Sequence, residues 1–200
     1  MSTFSVRRWR TRAAGGALLA AVALLPGCAT IKLGEPAPRL ETLQLIREAG
    51  IGALAVGDFQ RAATLKPAAD KSVSARGSTV GSPVGGSFAA YLRESLMAQL
   101  RAAGSFDAAA PVSIGGELTR SELHESLTGT STAVLAARFV VRRGGAIRYE
   151  REHTVSAQWK SSFIGAVAIP RAFDEYGDLY RKLVEQLLHD PEFAAACRGP

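Results

Sequence analysis

Apolar residues along the chain follow two rhythms, and these divide it into helices and strands. Phe88, Leu92, Leu96, Leu100 and Ala103 recur at helical spacing down one face. Ser87 is a suitable N-cap for that helix, and Gly104 a suitable stop, because glycine accepts the left-handed conformation. A second helical stripe comprises Phe173, Tyr176, Tyr180, Leu183, Val184, Leu187 and Leu188. There Pro170 fits a first turn, Asp174 and Glu175 favour the positive end of the helix dipole, and Asp190-Pro191 ends the pattern.

Between these helices the period changes to two. Val112, Ile114 and Leu118 alternate with Ser113, Gly115, Glu117 and Thr119. Over 132–142, Ala133, Leu135, Ala137, Phe139 and Val141 share one face. Gly144-Gly145 then supplies a hairpin turn, and 146–160 returns with Ile147, Tyr149, Val155, Ala157 and Trp159 on one face. Upstream, Ile51–Phe59 is an apolar run bounded by glycines and reads as a buried strand. The order β-α-β-β-β-α predicts an α+β fold: a mostly antiparallel sheet of about four strands with two amphipathic helices on one face. Residues 68–86 are rich in serine, glycine and small side chains and read as a mobile loop. No Gly-Lys-Ser/Thr follows its glycines, so the lysine and hydroxyl that a phosphate-cradling loop needs are missing.

The first residues have a different grammar. Arg7, Arg8, Arg10 and Arg12 precede an uncharged apolar run from Ala13 to Leu25, which leads into Pro26-Gly27-Cys28. That run is too short for the roughly 20 residues of a membrane-spanning helix and fits a secretory signal peptide. Leu24-Leu25-Pro26-Gly27-Cys28 resembles the lipobox of bacterial lipoproteins, although Pro26 departs from its commonest form. The resemblance implies cleavage between Gly27 and Cys28 and acylation of Cys28, whose several chains would anchor the protein stably. Ala29, in place of aspartate, implies the outer rather than the inner membrane under the enterobacterial sorting rule. The expected division is therefore a cleaved signal peptide at 1–27, a lipidated N-terminus and tether at 28–50, and a periplasmic domain at 51–200.

This division changes the meaning of the charge. The whole chain carries +6 with a pI near 9.7, but 1–27 contains four arginines and no acidic residue, so the remainder stands at +2. Clustered basic residues with interleaved aromatics are lacking, which argues against a nucleic-acid partner. If Cys28 is acylated, Cys197 is left without a disulfide partner and reads as an inert, partly buried thiol.

Taken together, the lipobox, a strand ending in Val56-Gly57-Asp58-Phe59, the Ser/Gly loop, the helix around Phe88-Ala-Ala-Tyr91-Leu92, a long hairpin and a closing helix resemble the ABC-type transport auxiliary lipoproteins. Their domain is similar to the N-terminal domain of TolB. The resemblance spans about 51–190 and implies a non-enzymatic partner of an envelope transport or assembly system. It brings no active-site residues with it.

Candidate chemistry is sparse. His124, His153 and His189 lie apart, without the spacing of metal ligands. His153, beside Arg151 on a mostly apolar strand face, reads as a hydrogen-bonded structural histidine. Glu122, His124 and Glu125 could form an acid/base cluster but read as solvated surface. Asp174 and Asp178, one turn apart, could share a cation but are explained by solvation and the helix dipole. The expectation is no catalytic residue, no metal and no cofactor, with the membrane and an envelope protein as partners and a lipid ligand left open. A second reading makes the 132–160 hairpin part of an oligomeric pore of the curli-secretion type. Against it, Arg151 and His153 interrupt the face that would meet lipid, and a midplane arginine costs about 2–4 kcal/mol.

Overall fold

The computed structural model describes residues 30–198. Gly27, Cys28 and the proposed cleavage point lie outside the described residues. The elements run β1 (Thr30–Lys32), α1 (Leu40–Glu48), β2 (Ala55–Arg61), α2 (Pro67–Lys71), β3 (Ser72–Ala75), β4 (Ser78–Gly81), α3 (Phe88–Ala103), β5 (Val112–His124), β6 (Thr130–Arg143), β7 (Ala146–Lys160), α4 (Gly165–Leu188) and α5 (Pro191–Cys197).

The expected α+β core is present. A four-stranded sheet has the order β2-β5-β6-β7, with β2 parallel to β5 and the other neighbours antiparallel. The helix α3 covers β2 and β5, while α4 covers β6 and β7. Both apolar stripes are buried: Leu92, Leu96, Leu100, Tyr176, Leu183 and Leu187 have essentially no exposed surface. The outer face of the sheet is polar, and there Arg138 bridges Glu117 at 2.6 Å and Glu150 at 2.8 Å.

The start of α3 is held twice. The Ser87 hydroxyl accepts from the Ala90 amide at 3.2 Å, and the Asp70 carboxylate accepts from the Ala89 amide at 2.8 Å. Both satisfy first-turn amides that have no partner inside the helix. Gly104 ends α3 at φ 76°, in the left-handed region. Gly116 serves packing rather than a turn: a Cβ there would come within 2.8 Å of the Phe59 ring. Phe59 in turn meets Phe139 edge-on, with centroids 6.0 Å apart.

Four expectations need correction. Residues 68–86 are not simply a loop: they hold most of α2 and all of β3 and β4, which join β1 in a second sheet of order β1-β4-β3. Val73, Ala75 and Val80 bury their side chains there. Residues 30–50 are part of the domain rather than a tether, since β1 pairs with β4 and α1 packs on α3 and α4. The last long helix begins at Gly165, so Pro170 lies inside it rather than in its first turn. Ile147, expected on the buried face, is half exposed. A bulge between Val141 and Arg142 makes Arg148 the extra residue and shifts Ile147 out of phase.

A second bulge, between Leu118 and Arg120, makes Thr119 the extra residue and reverses the alternation of β5. Ser121 consequently points inward and is buried.

Candidate functional site

A cleft of about 580 Å³ lies between the segment Ile31–Arg39 and the helices α3 and α4. Its apolar surface comes from Leu33, Ile169, Phe173 and Val184. Lys32, Glu35, Arg39, Asp174, Asp178 and Arg181 supply charge around it. The segment Gly34–Arg39 forms one wall as a strap held on α3. The Tyr91 hydroxyl donates to the Gly34 carbonyl at 2.8 Å, and the Gln99 amide donates to the Ala37 carbonyl at 3.0 Å. The Gln99 side-chain oxygen accepts from the Arg39 amide at 3.0 Å. Prolines at 36 and 38 remove two backbone donors from the strap, so side chains of α3 anchor it instead. Thr42 also lines the cleft; its hydroxyl is buried without a hydrogen-bond partner.

Below the cleft, polar groups form a directed chain. Ser121 donates to the Ala69 carbonyl at 2.8 Å, which leaves its oxygen to accept from Tyr176 at 2.7 Å. Tyr176 then accepts from Tyr180 at 2.9 Å. Burial raises the pKa of both phenols, so both remain neutral hydrogen-bond donors. The chain ties α4 to β5 and to α2.

A second polar cluster lies where β7 meets the start of α5. Tyr149 donates to Asp190 at 2.8 Å, and Arg151 donates to the same carboxylate oxygen at 2.6 Å and to Glu192 at 2.7 Å. Because the single Tyr149 proton faces Asp190, the 2.6 Å contact between Tyr149 and His153 assigns the proton of that contact to His153 Nε2. Burial lowers the His153 pKa; Asp190 opposes that shift and Arg151 reinforces it. For Asp190, burial alone would raise the pKa, but hydrogen bonds from Tyr149 and the Glu192 amide, together with Arg151, hold it below the ordinary value. Asp190 also caps α5 through that amide.

A third cluster is more enclosed. Arg76, in the β3–β4 turn at φ 49°, has a side chain 11% exposed and lies 3.1 Å from Glu125, which is 2% exposed. Glu125 accepts hydrogen bonds from Ser131 and Ser161. Arg76 donates to the carbonyls of Ser126, Leu127, Ser162 and Phe163 and to the Ser161 hydroxyl.

The expected site residues therefore separate. His153 is the hydrogen-bonded structural histidine anticipated for it. Glu122 is exposed and pairs with Arg120 at 2.7 Å, and His124 is exposed. Glu125, expected on the solvated surface, is instead a buried ion-pair partner; the three do not form one cluster. Asp174 and Asp178 both border the cleft, and Asp178 pairs with Arg181 at 3.2 Å. His189 is exposed and its ring meets the Glu185 carbonyl. Among the described residues no three His, Cys, Asp or Glu side chains converge as metal ligands. Cys197 is free and buried, and burial pushes its thiol up to about 12.

The strap, the cleft and the Arg76 cluster are absent from the sequence reading. Pro36 and Pro38 ahead of a weak helix were the available signal for the strap. Nothing local marks Arg76 as the partner of a glutamate 49 positions away.

Neither a family model nor a curated protein matches the chain. Several solved structures are similar to it. One, from Caulobacter crescentus CB15 and designated a lipoprotein, is 11% identical, covering 77% of this chain and 98% of that one at a TM-score of 0.46. A Xanthomonas campestris protein assigned to DUF330 is 13% identical, with 80% and 91% covered and a TM-score of 0.46. A Chlamydia trachomatis protein is 14% identical, with 72% and 98% covered and a TM-score of 0.43. None of these transfers an activity or a residue role to this chain. Among the described residues no helix is long and apolar enough to cross a membrane, which leaves membrane-crossing strands unaddressed.

Proposed function

We propose that the chain is a bacterial lipoprotein, anchored through acylated Cys28 in the outer membrane. Its periplasmic domain acts as a non-enzymatic, partner-binding accessory of envelope transport or assembly. The observation that carries this reading is the cleft. Its apolar surface suits an apolar segment of a partner protein, and its charged rim would orient that segment. The hydroxyl of Tyr91 and the amide of Gln99 hold the strap, so they act in shaping the surface. The wall of the cleft begins three residues after Cys28, which would place the bound partner close to the membrane.

The reading as an oligomeric secretion pore gains less support. One face of β6 and β7 packs beneath α4 and α5, with Leu135, Phe139 and Val141 fully buried.

Site-specific photo-crosslinking in intact cells tests the proposal. A photoreactive residue at Asp174, on the cleft rim, should give a discrete adduct with an envelope transport or assembly protein. The same residue at Glu150, on the outer face of the sheet, should give none. Equal adducts from both positions, or a lipid adduct alone, would overturn the protein-partner assignment.

A further inference from the structure

Four strongly exposed apolar side chains lie away from the cleft. Leu127, Phe163, Ile164 and Val167 are 65%, 82%, 62% and 54% exposed. Leu127 lies in the β5–β6 turn, Phe163 and Ile164 just precede α4, and Val167 lies in its first turn. The Arg76 guanidinium holds these segments together, because it binds the carbonyls of both Leu127 and Phe163. A further bond runs from the Ser161 amide to the Gly129 carbonyl at 2.9 Å. The four side chains thus rise from two segments tied to one fixed support, and exposed apolar groups gathered in this way commonly mark an interaction surface.

The surroundings of the patch are nearly free of charge. No ionisable residue occurs in 126–137 or in 161–170. The ion pair beneath, Arg76 with Glu125, is enclosed and neutral overall. Lys160, exposed at the end of β7, and Arg171, one turn beyond Val167 on α4 and paired with Glu175, are adjoining cations.

The chain reaches the described domain at this same end. The strand β1 runs parallel to β4 with Thr30 opposite Thr79, next to the Arg76-Gly77 turn. Cys28 precedes Thr30 by two residues, which span at most about 7 Å when extended. There is no slack to carry the domain away from its anchor.

Resting on the reading of Cys28 as the lipidated residue, we propose that Leu127, Phe163, Ile164 and Val167 form a membrane-docking surface that inserts into the phospholipid leaflet holding the anchor. The apolar side chains enter the headgroup boundary, while the Arg76–Glu125 pair beneath them, neutral overall, stays enclosed by protein. Docking there sets the four-stranded sheet upright on the membrane. The β6–β7 turn at Gly144-Gly145 then projects away, because the 14 residues of β6 span about 45 Å.

The test uses the full-length lipoprotein purified with its acyl chains and reconstituted in phospholipid vesicles brominated along the acyl chains. A fluorophore is placed on Phe163→Cys in one preparation and on Ala146→Cys in another; Ala146 is exposed beside the far turn. Native Cys197 is buried, and intact mass reports both single labelling and acylation of Cys28. The expected result is strong quenching at 163 and none at 146. Acylated, vesicle-bound protein with no quenching at 163, or equal quenching at both sites, overturns the docking surface and leaves the anchor standing. An unmodified Cys28 in protein that does not float with vesicles overturns the anchor and the docking surface with it.

Discussion

Tyr149 donates a hydrogen bond to Asp190 across 41 positions of chain, at 2.8 Å, and so joins the last strand of the sheet to the cap of the C-terminal helix. The same carboxylate also receives Arg151, with His153 at 3.5 Å, so the junction responds to protons. His153 has a lowered pKa in the fold because burial disfavours its charged form. The unfolded chain therefore binds the His153 proton first as pH falls, and stability drops as pH passes below the ordinary histidine value of about 6.5. Urea unfolding from pH 8 to 5 should show this loss, and His153→Gln should flatten it. An unchanged slope in the variant would assign the effect elsewhere. Asp190 acts lower on the scale: its stabilising charge is present above the ordinary aspartate value and is lost as pH falls through its lowered one.

Arg76 and Glu125 form the most enclosed arginine–carboxylate pair of the described residues, and the two partners are unequal in their other contacts. Removing Arg76 leaves a carboxylate almost without solvent and unties the two loops held by its guanidinium. Arg76→Ala should therefore cost about 3–5 kcal/mol, the range for breaking a buried pair by deleting one partner. Chemical denaturation would measure it. A loss below about 1 kcal/mol would mean that the pair behaves as a surface ion pair.

Gly116 sits where the Phe59 ring crosses β5, and the side chain of alanine needs space already filled by that ring. Gly116→Ala should destabilise by about 1–3 kcal/mol as an overpacked core position. Adding Phe59→Leu to that variant should recover part of the loss, since the offending atoms belong to the ring. Additive losses in the double variant would show that the strain lies in the backbone, where the Arg138 carbonyl is also close.

Where the periodicity was complete, it could be read directly. The buried stripe of α3 and the inward face of β6 are regular over their whole length, with no bulge or kink to shift their phase. Irregularities were not legible, since they depend on neighbouring strands. Ile147 and Ser121 change faces at bulges, and a bulge is a relation between two strands rather than a property of one. The second sheet eluded the sequence for a related reason. Its strands have three or four residues and only Val73, Ala75 and Val80 as buried apolar groups, and it holds together because residues 30–32 arrive from the N-terminal side. The candidate site behaved similarly. Its cleft is built from α4, α3 and a proline-bearing strap distant in the chain, and no single window contains it.

Whether Cys28 is the acylated first residue of the anchored protein is read from mass spectrometry of the N-terminal peptide of membrane-isolated protein. The expected peptide begins at Cys28 and bears acyl chains, with Cys28→Ser abolishing the modification and releasing the domain from the membrane fraction. A chain that retains residues 1–27, or a free Cys28 thiol on protein that stays tightly membrane-bound, would contradict it.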